Sequence, residues 1–317
     1  MSKDRNLKIV FFGTPEFAVA SLAKILEAGY EVAAVVTMPD KIAGRGHKLI
    51  QSDVKKFASQ QGLKVLQPEN LKSPLFISEL KEINADVFVV IAFRMLPEAV
   101  WSMPPRGTFN LHASLLPKYR GAAPINRAVM NGDTKTGVTT FFLKHEIDTG
   151  DIIQQKEITI LPDDDAGNVH DKLMSLGADM VVDSLNDIKN GDVKTYPQPE
   201  GDYLPAPKIY KETCKINFEE TALRIHNKVR GLAPYPGAYA MVKDSEDNVS
   251  EIKIFKTRLP ENIIIEKGNP GTLVIKKDRL FVITGDSPLE IMELQPAGKR
   301  RMTADAYLRG YHPIKLE

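Results

Sequence analysis

A carboxamide, an imidazole and a carboxylate stand in two short segments of this sequence. Asn110 and His112 lie in the apolar run 108–112, and Asp148 begins the segment 148–151, of sequence DTGD. Because side chains alternate between the two faces of a strand, a strand here would place Asn110 and His112 on one face. Such a pair is often an ordinary hydrogen-bonded part of a core. With a carboxylate nearby, however, it suits acyl transfer through a charged tetrahedral intermediate.

The segments around these residues alternate between strand-like and helix-like patterns. Short apolar runs predict strands at 7–12, 32–36, 64–66, 87–93, 109–112 and 137–143. Helical periodicity predicts helices at 16–28, 54–61, 75–83, 124–130 and 169–188. This order predicts an α/β fold with a doubly wound, mostly parallel sheet. Asn110 and His112 would then lie at the carboxyl end of a strand, where such folds bind ligands.

The turn after the first strand tests one common use of such a sheet. A dinucleotide site would carry G-x-G-x-x-G there, but only Gly13 is present, and Pro15 and Ala18 stand at the later glycine positions. We therefore expect a tight connection at this turn and no nicotinamide nucleotide.

The pattern changes after residue 190. Residues 191–208 lose periodicity and are rich in proline, which is typical of a semi-extended linker. One helix at 222–232 is followed by short strand patterns at 238–242, 252–257, 272–275, 280–284 and 289–294. These elements predict a small antiparallel barrel of the OB type. The predicted organisation is a catalytic domain at 1–190, a linker at 191–208 and an OB-like domain at 209–317.

Composition excludes several classes of protein. The sequence shows no apolar run long enough to span a membrane and no signal-peptide segment at its start. The single cysteine, Cys214, favours a reducing cytoplasm, and the spacing of the six histidines indicates no metal. The net charge is only +1, but residues 207–317 carry 19 Lys and Arg against 15 Asp and Glu. This basic excess is compatible with a polyanion bound by the second domain.

The segments LHASLLP at 111–117, GAAPI at 121–125 and DTGD at 148–151 occur together and in this order. They resemble the folate-dependent formyltransferase family, with its Rossmann-like catalytic domain, and the resemblance extends from residue 9 to residue 302. It implies that 10-formyltetrahydrofolate is consumed as the formyl donor. It also implies that Asn110 and His112 donate hydrogen bonds to the oxyanion and that Asp148 favours a protonated His112. The resemblance places four residues in the wall of the folate site: Ser114, Leu115, Leu116 and Pro117.

Two basic segments indicate the acceptor. The loop 37–49 contains one Pro and two Gly, which predicts irregular structure, and it carries Arg45 and Lys48. A mobile surface loop would explain it equally well, but it resembles a loop of those family members that formylate methionyl-initiator tRNA. The segment 294–302 carries Lys299, Arg300 and Arg301, which suit phosphate contacts. The resemblance thus implies methionyl-initiator tRNA as partner of a monomeric enzyme.

Two segments depart from the family pattern. AFRMLP at 92–97 replaces A-Y-G-x-x-L-P and is one residue shorter, and LKHEI at 143–147 replaces the usual D-x-G-L before Asp148. Three alternatives stay open: formylation of a sugar nucleotide or small amine, hydrolysis of the formyl-folate, and RNA binding without catalysis. The Arg45 loop and the second domain argue against the first two, and the set of Asn110, His112 and Asp148 argues against the third.

Overall fold

The structure is a computed structural model that describes residues 6–43, 48–201, 203–261, 265 and 268–317, without the side chains of residues 42, 43 and 48. The chain forms two compact units. The first consists of Met1–Gly121, Gly137–Ile158 and His170–Pro205; the second consists of Ala122–Thr136, Thr159–Val169 and Ala206–Glu317. This division follows spatial contacts, whereas the limits predicted from the sequence follow chain order.

A seven-stranded sheet organises the first unit. Its strands are β1 (Lys8–Gly13), β2 (Glu31–Val36), β5 (Val65–Leu66), β6 (Val87–Ile91), β7 (Thr108–His112), β8 (Lys135–Phe142) and β9 (Ile152–Thr159), while β3 (Lys41–Ala43) and β4 (Lys48–Ile50) form a separate pair. The helices up to residue 190 are α1 (Glu16–Glu27), α2 (Asp53–Gln60), α3 (Pro74–Ile83), α4 (Glu98–Trp101), α5 (Pro124–Met130) and α6 (Ala166–Asn190). The strand order is β5-β2-β1-β6-β7-β8-β9.

The prediction of a mostly parallel sheet is confirmed. Strands β5, β2, β1, β6 and β7 pair in parallel, and β8 pairs antiparallel with β7. β6 is buried along its whole length, which is typical of a central parallel strand covered on both faces. It ends at Ile91 because Ala92 takes a left-handed φ of 47°, so the strand predicted to reach residue 93 is shorter. β9 and α4 lay outside the predicted elements.

The second unit is built on an antiparallel sheet. Its elements after residue 206 are α7 (Lys211–Cys214), α8 (Ala222–Leu232), β10 (Ala238–Asp244), β11 (Val249–Arg258), β12 (Leu273–Lys276), β13 (Arg279–Ile283), β14 (Pro288–Pro296), β15 (Met302–Thr303), α9 (Ala304–Leu308) and β16 (Pro313–Leu316). The strand order is β12-β13-β14-β11-β10-β16. A bridge between Thr272 and Lys315, with Leu316 N–H donating to Gly271 O at 2.8 Å, joins the two edges. The sheet is therefore a nearly closed barrel, as the OB-like prediction required.

The segment 37–49 corrects one prediction. Its proline and glycines predicted irregular structure, yet β3 and β4 form an antiparallel ladder in which Ile42 pairs with Leu49. Pro39 precedes this ladder and Gly44 and Gly46 fall between its two strands, so none of the three interrupts a paired position.

Candidate active site

Strand β7 carries the two polar residues that the sequence singles out. Asn110 pairs with Val90 of β6 and with Phe141 of β8, and His112 pairs with Thr139 of β8. Both therefore project from one face near the carboxyl end of a central strand. Asn110 is half-buried, and His112 is only 7% exposed.

The ring of His112 is held by two neighbours. Its Nε2 lies 2.8 Å from the carbonyl oxygen of Tyr119, and because a carbonyl only accepts, Nε2 carries a proton. Its Nδ1 lies 3.8 Å from Oδ2 of Asp148. Nδ1 is thus the nitrogen left for chemistry: it accepts a proton when the ring is neutral and donates a hydrogen bond when the ring is charged.

The loop after β8 presents Asp148 in a conformation that is unusual for a side-chain-bearing residue. Its φ is 55°, and its Oδ2 accepts a hydrogen bond of 2.9 Å from the backbone N–H of Gly121. Two positions further on, a Cβ on Gly150 would lie 1.5 Å from the carbonyl oxygen of Phe142. The strand end thus requires glycine at 150, and the polypeptide turns so that Asp148 faces His112.

Gln198 is a site residue that sequence reasoning missed. Its Nε2 donates to the carbonyl oxygens of Asp148 and Gly150 at 2.8 and 2.9 Å, and its Oε1 accepts from Arg120. It lies in the segment predicted as linker, where proline content and missing periodicity gave no signal of contact with the catalytic loop.

The predicted folate loop is anchored from beneath. The Thr139 hydroxyl donates to the Ser114 carbonyl at 2.6 Å, and Gln155 donates to the Leu116 carbonyl at 2.8 Å. Ser114 is fully buried and donates from Oγ to the Lys118 carbonyl, so its hydroxyl is engaged within the loop. Leu116 and Pro117 are buried, and their peptide bond is cis, whereas Leu115 is half-buried.

The residues predicted to contact tRNA are placed unequally. Arg45 and the side chain of Lys48 lie outside the described residues. The start of their hairpin is fixed by Asp40, whose carboxylate accepts hydrogen bonds from Lys55 and from Gln67. These two donors hold the pKa of Asp40 below its ordinary value.

In the second unit, the cluster at 299–301 is exposed but not equally available. Arg301 pairs with Glu293 at 2.6 Å and lies 4.6 Å from the centre of the Phe255 ring. Lys299 and Arg300 are the more exposed members. Arg301 also lines a cavity of about 150 Å³ together with Arg230 and other residues of the second unit. Burial lowers the pKa of Arg230 from its ordinary value, although Asp164 and Asp163 oppose the shift.

The two segments that depart from the family pattern have their own anchors. Arg94 donates to the carbonyl oxygens of Pro68 and Glu69, and the Phe93 ring packs edge-on against Phe12 at 5.7 Å. Before Asp148, the hydroxyl of Thr149 donates back to the Glu146 carbonyl at 3.0 Å. Within the described part of the chain, no group of three or more His, Cys, Asp or Glu side chains could hold a metal ion.

Comparison with known families gives the class of protein. A family model described as formyl transferase matches residues 7–185, and one described as formyl transferase, C-terminal domain, matches residues 208–312. The chain belongs to the formyl transferase family. This confirms the resemblance drawn from the motifs around Asn110, His112 and Asp148 and makes the protein a formyltransferase. Members of the family use formyl-tetrahydrofolate as their formyl donor.

Individual relatives are similar over almost their whole length. Methionyl-tRNA formyltransferase of Bacteroides fragilis is 50% identical over 316 residues, covering 98% of this chain and 97% of the relative. The enzyme of the same name from Flavobacterium johnsoniae is 47% identical over 306 residues, covering 96% of each chain.

Solved structures share the fold at lower identity. HypX from Aquifex aeolicus in complex with tetrahydrofolic acid has a TM-score of 0.65 and 18% identity, covering 96% of this chain and 47% of that one. An N-formyltransferase from Helicobacter canadensis, in complex with folinic acid and dTDP-3-aminofucose, has a TM-score of 0.64 and 22% identity, covering 90% and 98%.

Proposed function

We propose that this protein transfers the formyl group of 10-formyltetrahydrofolate to the free amino group of methionyl-initiator tRNA. The product is N-formylmethionyl-tRNA for translation initiation. The observation that carries this proposal is the identity of about half of all positions, over nearly full length, with relatives named methionyl-tRNA formyltransferase. The arrangement of Asn110, His112 and Asp148 supports it independently, because acyl transfer to an amine needs these groups.

The proposed chemistry assigns one task to each of the three side chains. An α-amino group has a pKa of ~7.7–8.0, so much of it is already nucleophilic at neutral pH. Asn110 supplies an uncharged N–H donor for the oxyanion that forms when the amine attacks the formyl carbon. His112 offers only Nδ1, since Nε2–H is donated to Tyr119. The ring must therefore be protonated to donate to the oxyanion, and Asp148, at 3.8 Å, stabilises that cation and assists proton movement from the amine.

The donor site would be walled by residues 114–117. With the Ser114 hydroxyl engaged by the Lys118 carbonyl, we assign Ser114 a role in shaping the loop that faces the folate. A direct attack by the amine requires no acyl-enzyme, so we expect no burst of formylated protein when the donor is supplied without an acceptor. Such a burst would contradict the proposed mechanism.

The acceptor would be chosen by the segment that contains Arg45 and Lys48, with Lys299, Arg300 and Arg301 contributing phosphate contacts. Arg45 stands between two glycines, which remove side-chain bulk beside it. A guanidinium forms forked hydrogen bonds that a lysine cannot reproduce. No helix within the described ranges is long and apolar enough to cross a membrane. We further propose that the protein works as a monomer in the reducing cytoplasm, in line with its single free cysteine.

Single-turnover formylation of charged initiator tRNA tests the reaction. Asn110→Ala, His112→Ala and Asp148→Ala should each slow the step, and loss of one oxyanion donor typically costs about 10²–10³ in rate. His312→Ala, an exposed histidine of the second unit, is the matched control and should keep the wild-type rate. Near-wild-type rates for all three site variants would contradict the assignment.

A second measurement tests the acceptor. Wild-type protein should formylate charged initiator tRNA in preference to charged elongator methionine tRNA, a sugar-nucleotide amine or water, the last followed as formate release. Arg45→Ala should reduce this formylation without weakening folate binding. Lys56→Ala, an exposed lysine paired with Asp53, is the control and should leave both unchanged. Unchanged formylation and initiator preference in Arg45→Ala would remove the loop from the recognition of tRNA.

A further inference from the structure

The segment Tyr119–Gly121 contacts every part of the candidate site that can move separately. The Tyr119 carbonyl accepts from His112, and the Gly121 N–H donates to the Asp148 carboxylate. Arg120, between them, directs its Nε and Nη2 to Oε1 of Gln198 at 3.0 and 2.6 Å. Gln198 in turn reaches the backbone on both sides of Thr149.

The orientation of the Gln198 amide is determined by its partners. Its nitrogen faces two carbonyl oxygens, which only accept, and its oxygen faces a guanidinium, which only donates. The opposite amide orientation would oppose like groups at all four contacts. Each hydrogen-bonding direction of this side chain is thus used, and glutamine is the residue whose chemistry satisfies all of them.

The loop that Gln198 bridges needs support from outside. Asp148 has a left-handed φ of 55°, and side-chain-bearing residues keep such a conformation where their surroundings over-determine it. Between Asp148 and Gly150, both carbonyl groups point to the Gln198 amide instead of to a strand partner. The distance from Asp148 to His112 therefore depends on contacts made by a residue some fifty positions later in the chain.

We propose that Gln198 is a positioning residue for catalysis, which sets the conformation of the Asp148 loop by donating to both of its carbonyl groups while Arg120 fixes the amide. This rests on the proposed formyl transfer. Gln198 touches no reacting atom in this scheme. It acts on the transition state through the placement of Asp148 beside the His112 ring.

Two substitutions separate the halves of the bridge. Gln198→Glu keeps an acceptor for Arg120 but loses both donors and turns a carboxylate oxygen toward two carbonyls. Gln198→Met loses both halves at similar size. Because a misplacement of about 1 Å can cost ~10²-fold, we expect kcat to fall about 10–100-fold in both variants, with KM for tRNA and for formyl-folate changed less than about 3-fold. Gln154→Met, which removes a contact with Asp187 elsewhere on β9, is the control and should retain wild-type kcat.

Hydrogen exchange of full-length protein gives a readout that does not depend on activity. Amides of residues 144–151 should exchange faster in both Gln198 variants, at unchanged exchange of β1 and β6. Should either variant fail to fold, Arg120→Met tests the same bridge from its other end and should accelerate exchange in the same segment. Wild-type kcat in Gln198→Glu, or unchanged exchange of 144–151, would overturn the proposal. If wild-type protein formylates no amine while exchange responds as expected, the proposed function fails and the positioning contact stands.

Discussion

Glu290 of β14 is a buried carboxylate held by two arginines of neighbouring strands. Arg279 donates to both of its oxygens, and Arg258, its cross-strand partner, donates to one of them at 2.8 Å. Burial alone would raise the pKa of Glu290, but hydrogen bonds from Arg279 and Arg258 outweigh it and lower the pKa from 4.5 to about 2. The charged form is therefore the one that stabilises the barrel.

The stabilisation can be worked out from this shift. At ~1.4 kcal/mol per pKa unit, a fall from 4.5 to about 2 corresponds to about 3 kcal/mol. The side chains of Arg258 and Arg279 are 54% and 38% exposed, and water weakens their attraction, so we expect about 2 kcal/mol. Because the folded-state pKa is the lower one, the contribution is complete above about pH 4.5 and is lost as the pH falls toward 2.

Substitution of Glu290 by glutamine removes the charge and keeps the shape. The free energy of opening should fall by about 2 kcal/mol at pH 7, and the deficit relative to wild type should shrink by more than half at pH 3. Urea-dependent hydrogen exchange of β11 and β14 peptides measures this opening in the second unit. Glu293→Gln, on the same strand but in a more exposed pair, is the matched control and should cost less than about 1 kcal/mol. A deficit that stays constant from pH 7 to pH 3, or an equal effect of the control, would refute the reasoning.

Three further predictions concern activity. Gly150→Ala should reduce single-turnover formylation by at least ~10²-fold, because its Cβ would meet a carbonyl oxygen at 1.5 Å; equal rates would contradict this. Gln155→Met should raise KM for formyl-folate more than KM for tRNA, since it releases the loop at 114–117; an effect on tRNA alone would count against it. Neutralising Lys299 and Arg300 should flatten the salt dependence of tRNA binding by ~0.7–0.9 for each phosphate that the protein no longer neutralises, more than Arg301→Ala does, because Arg301 is already paired; the reverse order would argue against phosphate binding there.

Regular hydrophobic patterns made most of the sheet predictable. β1, β2 and β6 are short apolar runs with turn residues at their ends, and α8 begins and ends at the residues that its pattern predicts. Asn110 and His112 could be placed on one face from alternation alone, since two residues of a strand separated by one other always share a face. Their proposed roles came from the resemblance of the surrounding motifs.

What the sequence could not reveal depends on contacts between distant segments. Gln198 stands among prolines, and only the turn of the chain back to Asp148 gives its amide partners. The ladder of β3 and β4 is too short to show a period, so its glycines dominated the prediction. β16 is stabilised by closure of the barrel, through Thr272 and Lys315, and four residues carry little signal of their own.

The chain from Tyr196 to Leu204 is tied down at both ends within the first unit. Tyr196 exchanges two backbone hydrogen bonds with Ile152, at 2.9 and 3.1 Å, and the Leu204 carbonyl accepts from Tyr119 at 2.7 Å. Its length is consequently constrained, and one residue inserted or deleted between these anchors would displace Gln198 relative to the carbonyls it serves. Chimeric proteins that exchange the second unit should therefore be joined after residue 205, since a junction at 190 would import a foreign contact into the catalytic loop.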